Sequence, residues 1–180
     1  MTLTKRIALL TLTITIGLML PLMTSAQSNE YQVKSAFLLN FAKLVEWPET
    51  AFASTDSPVV VGILGDEAFT AAAATGLGSK QVGKRAVELR RLSSAGDARS
   101  CHLVFVSRAH AESQGDILSA TRGRPSLTIG DDEGFVRKGG TIAFYDEGGK
   151  VRFAVNVGVA EGTGLRISSR LLGLAKIVGK

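Results

Sequence analysis

Residues 59–75 read VVVGILGDEAFTAAAAT, and this stretch decides the fold. Val59 to Leu64 is β-branched and apolar with no polar alternation, the pattern of a strand buried on both faces. Asp66 to Thr75, alanine-rich and led by an acid, reads as a helix. A buried strand followed at once by a helix is half of a βαβ unit. The same alternation continues outward. Gly76, Gly78 and Gly83 mark a loop, Ala86 to Leu92 a strand, and His102 to Ser107 (HLVFVS) a second buried strand. Ala111 to Thr121 reads as a helix with Ile117 and Leu118 inside, and Ser126 to Ile129 as a strand. The expectation is a single α/β domain with a mixed, mostly parallel sheet flanked by helices. Thr141 to Tyr145 and Val151 to Val157 straddle Asp146-Glu147-Gly148-Gly149, which predicts a late hairpin and an antiparallel part. Ile167 to Val178 is predicted to close the chain as a helix, with Leu171, Leu174, Ala175 and Val178 on one face. Upstream, Ser28 and Asn29 are placed to cap a helix from Glu30 to Trp47, ended by Pro48. Its apolar face is wide enough to suggest burial on more than one side.

Composition narrows the class. The chain has 180 residues, 45% hydrophobic and 21% charged, which is ordinary globular content. One cysteine, Cys101, excludes a disulfide framework. Residues 1–26 read MTLTKRIALLTLTITIGLMLPLMTSA. Lys5 and Arg6 precede an uncharged apolar run, Pro21 breaks it, and Thr24-Ser25-Ala26 supplies small residues at a cleavage site. This is the layout of a secretory signal peptide, so residues 27–180 are expected to form the mature domain. Cleavage removes all three methionines and two of the charges behind the formal +5. That mild basicity, with export to a periplasm, argues against nucleic acid as a partner.

No catalytic constellation emerges. Gly78 to Lys84 (GSKQVGK) fits the first seven positions of a phosphate-binding loop, but Arg85 stands where Ser or Thr must hold magnesium. The segment also precedes a strand instead of following one. Cys101, His102 and His110 lack the spacing of a metal site, and Cys101 and His102 face opposite sides of a strand. No metal and no cofactor are expected. Asp131-Asp132-Glu133 follows a strand, where open α/β sheets bind ligands. It reads either as an acidic site or as a solvated loop with one N-cap. No G-x-S-x-G elbow occurs. An exported domain of this kind is expected to be a binding or regulatory protein and not an enzyme.

Three segments together resemble the YfiR family. Tyr31 to Pro48 (YQVKSAFLLNFAKLVEWP) is similar to its Y-x-x-K-A-A-F-L-x-N-F-A-K-F-x-E-W-P signature. Ile129 to Phe144 (IGDDEGFVRKGGTIAF) resembles its G-D-x-x-G-F-x-x-x-G-G-x-I-x-F stretch. Val151 to Ala175 (VRFAVNVGVAEGTGLRISSRLLGLA) resembles its ending. Within these segments Lys34 sits beside the apolar face and is placed to reach a buried carbonyl or acid. Gly139-Gly140 permits a tight entry to the next strand, and Ser168 and Ser169 are placed to cap the final helix.

The resemblance implies a periplasmic repressor that binds the sensor domain of a membrane-bound diguanylate cyclase, lowering cyclic di-GMP and biofilm formation. It implies an OmpA-like outer-membrane lipoprotein as a second partner, and a possible homodimer. Better-known members carry two disulfides. Cys101 stands where one such cysteine falls, Gly62 occupies its implied partner position, and the second pair is missing. The alternative function is a periplasmic small-molecule sensor or solute-binding module, with its ligand unknown. The partner surface is expected on the C-terminal segment, at Phe153, Asn156, Glu161, Ile167, Ser168, Ser169 and Leu172. The competing reading makes the apolar members of that set core. Glu161, in a loop-like run from Ala160 to Gly164, is the residue that packing does not need.

Overall fold

The computed structural model describes residues 27–179. The expected signal peptide, residues 1–26, lies outside the described residues. In chain order the elements are helix α1 (residues 27–44), β1 (Val45–Glu46), β2 (Val59–Leu64), α2 (Glu67–Leu77), β3 (Gln81–Val82) and β4 (Arg85–Arg91). There follow β5 (Leu103–Val106), α3 (Gln114–Thr121), β6 (Leu127–Gly130), β7 (Ile142–Glu147), β8 (Lys150–Val155), α4 (Val157–Gly162), β9 (Arg166–Ile167), α5 (Ser169–Leu172) and β10 (Lys176–Ile177).

The main sheet runs β10-β8-β7-β6-β5-β2-β4-β3. β4, β2, β5, β6 and β7 are mutually parallel, and β8 runs antiparallel to β7 as the hairpin reading requires. The predicted class, α/β with a mixed and mostly parallel sheet, is the class observed. The reason is visible in β2. Val59, Val61 and Ile63 point into the larger core with Leu38 and Phe41 of α1 and Phe69 of α2, while Val60 and Leu64 join Ile117 of α3 and Ala98 on the opposite face. Period-2 alternation places successive side chains on opposite faces, so a strand covered by helices on both sides must be apolar throughout. The late strands close against a third cluster around Phe135. The expected tight entry to β7 is real. Gly139 has φ +102°, and a Cβ at Gly140 would lie 2.2 Å from the Phe135 ring.

Several expectations are corrected. α1 is already helical at residue 27, so Ser28 and Asn29 lie within it and do not cap it. It ends at residue 44, not at Trp47, because Val45 and Glu46 pair antiparallel with Ile167 and Arg166. Only one stripe of α1 is buried (Lys34, Ser35, Leu38, Phe41 and Ala42), while Val33 and Ala36 face outward. GSKQVGK lies between α2 and β4 and forms the β3–β4 hairpin, with Gln81 opposite Ala86. The loop-like run from Ala160 to Gly164 is partly helical, since Asn156 caps α4 by accepting from Val159 N–H at 3.1 Å.

The terminal helix is the largest correction. Ser168 caps a helix as expected, accepting from Leu171 N–H at 3.3 Å, but α5 is one turn long. The chain then extends into β10, parallel to β8, and Val178 N–H donates to Val155 O at 2.8 Å. Leu174, predicted on a buried face, is 68% exposed. A run of Leu, Ile and Val suits either period. In the extended form residues 176–178 pair with the otherwise open edge of β8, which a helix would leave uncovered.

Candidate functional site

The path of the chain reverses between β2 and β5. After β2 it moves outward to β4, then returns to the other side to lay down β5, β6 and β7 in order. Beyond the carboxyl ends of the strands at such a reversal lies the crevice where open α/β sheets bind ligands. Here the residues leaving the strands are Gly65 and Asp66 after β2, Ser107 and Arg108 after β5, and Asp131 after β6. The first turns of α1 are tied to two of these exits.

Asp66 does two jobs. Its Oδ1 accepts from Phe69 N–H at 2.7 Å, capping α2, and its Oδ2 accepts from the Tyr31 hydroxyl at 2.7 Å. Burial, reinforced by that carboxylate, pushes the Tyr31 phenol above its ordinary pKa, so it stays a donor. One turn on, Lys34 is 3% exposed. Its ammonium donates to Asp131 Oδ1 at 2.5 Å and to Glu30. Of the buried carbonyl or acid expected for Lys34 beside the apolar face, the structure supplies the acid. The Arg108 Nε–H donates to Asp131 O at 3.1 Å. Ser107 Oγ lies 3.1 Å from His110 Nδ1. This serine–histidine pair has no acid on the far ring nitrogen among the described residues, so it lacks the third group that orients a nucleophile's base.

Two clefts flank α1. One, of about 660 Å³, lies against α2 at Gln27, Tyr31, Ala68, Ala72 and Thr75. The other, of about 1000 Å³, lies against the β7–β8 hairpin at Val33, Arg108, Asp146, Lys150 and Arg152.

The acidic run divides. Asp131 serves Lys34, Asp132 accepts from the Gln114 amide, and Glu133 accepts from Lys176 at 2.7 Å. That contact with Lys176 lowers the Glu133 pKa and raises the Lys176 pKa. The three carboxylates point at three different partners and do not converge on a cation. His102 is not part of a metal site either. Its Nδ1 accepts from Val60 N–H at 3.0 Å and its Nε2 faces Ala51 O at 2.9 Å, which requires the neutral Nε2–H tautomer. Its ring stacks on Phe52 at 4.5 Å and stands edge-on to Trp47. Burial lowers its pKa, holding it in that neutral form. Cys101 is a free, buried thiol whose pKa burial raises. A Cβ at Gly62 would lie 2.7 Å from its sulfur.

The residues expected at the partner surface separate into two groups. Phe153 is core, packed on Phe41 at 4.9 Å and on Phe37 at 5.5 Å. Asn156 is occupied by its cap and by Val136 O, and Ser168 by its cap. Ile167 and Leu172 are half-buried against the main core. Glu161 and Ser169 are exposed. The residues that the sequence reading passed over are Tyr31 as a ligand of Asp66, and Arg108. The pattern strand-Gly-Asp-helix at residues 59–67 signals an N-cap at a strand's carboxyl end and was the available pointer to Asp66.

A family model described as YfiR/HmsC-like matches residues 31–176. No curated protein matches the chain. Among solved structures, a conserved domain protein from Vibrio cholerae O1 biovar El Tor is 11% identical, with a TM-score of 0.46 over 66% of this chain and 54% of that one. A structure described as the ABC domain in complex with L-Trp, from Streptococcus pneumoniae, is 12% identical, with a TM-score of 0.47 over 66% of this chain and 55% of that one. The chain thus spans about half the length of the solved structures it matches.

Proposed function

The chain belongs to the YfiR/HmsC-like family, whose members regulate cyclic di-GMP signalling from the periplasm, and on that premise we propose that it holds a membrane-bound diguanylate cyclase inactive by binding the cyclase's periplasmic sensor domain. The match over residues 31–176 carries the reading, because it takes in α1, the crevice and the C-terminal segment together. The crevice supports it. Its acids and bases are spent on one another, in Tyr31–Asp66 and Lys34–Asp131, and hold α1 in place. Among the described residues no helix is long and apolar enough to cross a membrane.

The C-terminal segment is the surface we assign to the partner. Of the large apolar side chains exposed among the described residues, Leu174 (68%) and Ile177 (45%) both lie there. Exposed apolar side chains grouped at one edge mark interaction surfaces. Glu161, exposed on α4, and Ser169 complete it, while the buried Phe153 supports it from beneath. An OmpA-like outer-membrane lipoprotein that sequesters the protein would compete for the same surface, and a homodimer would use part of it.

Deleting the gene tests the proposal. Cellular cyclic di-GMP is expected to rise, and the purified protein is expected to bind the cyclase's isolated sensor domain in a calorimeter. Unchanged cyclic di-GMP together with no binding overturns it. A second reading, a small-molecule sensor, is favoured by the clefts of about 660 and 1000 Å³ beside α1, which are of ligand size. Under that reading a ligand protects Tyr31, which lines both clefts, from modification with no partner present.

A further inference from the structure

Residues 49–58 join β1 to β2 and pass beside the amino ends of β2 and β5. The segment closes its own turns, with Ala51 N–H donating to Pro48 O, Phe52 N–H to Glu49 O and Ser57 N–H to Ser54 O. Among the described residues, only two side chains hydrogen-bond it to the rest of the chain. Arg85 of β4 donates to Ser54 O at 2.8 Å and to Ser57 O at 2.7 Å, and the His102 ring donates from Nε2 to Ala51 O at 2.9 Å. The Phe52 ring rests on the same two side chains. The Arg85 guanidinium lies 3.7 Å from its centroid, and the His102 ring stacks on it at 4.5 Å.

His102 also completes the sheet. The β2–β5 ladder begins at Val61 and Leu103, so Val60 N–H stands one residue before it. The imidazole Nδ1 accepts from that N–H at 3.0 Å, while the backbone N–H of His102 donates to Val60 O at 2.9 Å. Val60 is 7% exposed, and its N–H relies on the ring for an acceptor. With Nδ1 accepting and Nε2 donating, the ring has no place for a second proton. Its surroundings do not welcome one either. Arg85 faces it from β4, and Arg99 and Arg124 line the cleft of about 270 Å³ that His102 shares with Ala51. No carboxylate lines this cleft, not even Glu49 or Asp56 of the segment itself. Cys101 lines it as a neutral thiol, burial having raised its pKa, and Trp47, edge-on to the ring, carries no charge.

We propose that His102 is an acid-sensitive latch: on taking a second proton its Nδ1–H confronts Val60 N–H, the imidazolium swings out, and residues 49–58 come off the sheet with Phe52. One ring carries both the Ala51 bond and the Phe52 stack, so the two are lost together. Arg85 then remains as the tether at Ser54 and Ser57. Burial and the nearby Arg85 hold the ring's folded pKa below 6.5, so the latch is closed at neutral pH and loosens in acid. Opening widens the cleft and uncovers Phe52 and Trp47 at the end of the sheet opposite the Tyr31–Lys34 crevice. The device is independent of the cyclase reading, since it is read on the isolated protein.

The test is hydrogen–deuterium exchange of the purified full chain by mass spectrometry, from about pH 7.5 to about pH 4, with NMR titration of the His102 ring alongside. Exchange is corrected for its intrinsic rate at each pH. Protection of residues 49–58 is expected to fall about tenfold for each pH unit below 6.5 and to level off where the folded ring titrates, because one proton is linked to the opening. β5 and β6 should keep their protection throughout. His102→Gln, which takes up no proton, should show no such fall. Circular dichroism checks that this variant folds, and if it does not, the coincidence with the ring titration in the parent decides. Protection of 49–58 that is flat with pH, or is lost equally in folded His102→Gln, overturns the proposal. So does a loss shared by β5 and β6, or one that levels off away from the ring's titration.

Discussion

Replacing Lys34 by Met removes the only cation that directly pairs with the Asp131 carboxylate among the described residues. The lysine is 3% exposed and the aspartate side chain 10%, so neither charge is solvated. Methionine keeps the length and apolar stem of lysine but leaves the carboxylate unpaired inside the fold. Breaking one side of a buried pair costs about 3–5 kcal/mol, most of it the penalty of the stranded charge. For a domain of this size that corresponds to a fall in melting temperature of roughly 6–20 °C. Arg108, held on Asp131 O, is close enough to swing toward the carboxylate, which favours the lower half of that range. The decisive comparison is Lys34→Met against Lys34→Met/Asp131→Leu in urea denaturation. Removing both charges leaves nothing stranded, so the double variant should recover most of the loss. A single variant that loses less than about 1 kcal/mol, the range of a solvent-exposed pair, refutes the argument. So does a double variant no more stable than the single.

Stability should fall with acid through His102. Its folded pKa lies below the unfolded value of 6.5, so above that pH both states are neutral and the contribution is complete. As pH drops below 6.5 the unfolded chain takes up the proton first, and stability declines until the folded pKa is passed. Protonation of the folded protein also places a hydrogen on Nδ1 against Val60 N–H, so the emission of Trp47, the single tryptophan, should change as pH falls through the folded pKa and not in His102→Gln. Gly62→Cys should form a disulfide with Cys101, since the added Cβ lies 2.7 Å from the sulfur. Closing a loop of roughly 40 residues stabilises by about 4 kcal/mol in the chain-entropy model. In reductant the same variant should be less stable than the parent, because Leu92, 2.9 Å from that Cβ, must move; equal melting with and without reductant sinks the prediction. Glu161→Arg should melt within about 0.5 kcal/mol of the parent, as exposed substitutions do, yet bind the sensor domain more weakly and raise cyclic di-GMP. Full repression by a normally folded variant moves the interface off α4.

What the amino-acid order determined is the six longer strands, β2 and β4 to β8, and the class they belong to. Val59–Leu64 coincides with β2, and His102–Ser107 and Ser126–Ile129 fall within a residue or two of β5 and β6. A strand covered on both faces has no polar position to spare, so its composition is visible in isolation. Lys34 was legible for the related reason that a cation flanked by apolar residues must find a carbonyl or an acid. The sequence did not determine which acid. Asp131 is 97 residues away and Asp66 is 35 from Tyr31, separations at which no local rule operates. The chain's end was decided at the same tertiary level. LRISSRLLGLAKIV has helical periodicity and β-branched residues together, and the open edge of β8 settled the choice by offering carbonyls that a helix would have left unpaired. Likewise Phe153 read equally as partner surface or as core, and only its packing against Phe37 and Phe41 of α1 sent it inward while Glu161 stayed on the surface. Local pattern says that a side chain is apolar, whereas the packing of distant elements decides what covers it.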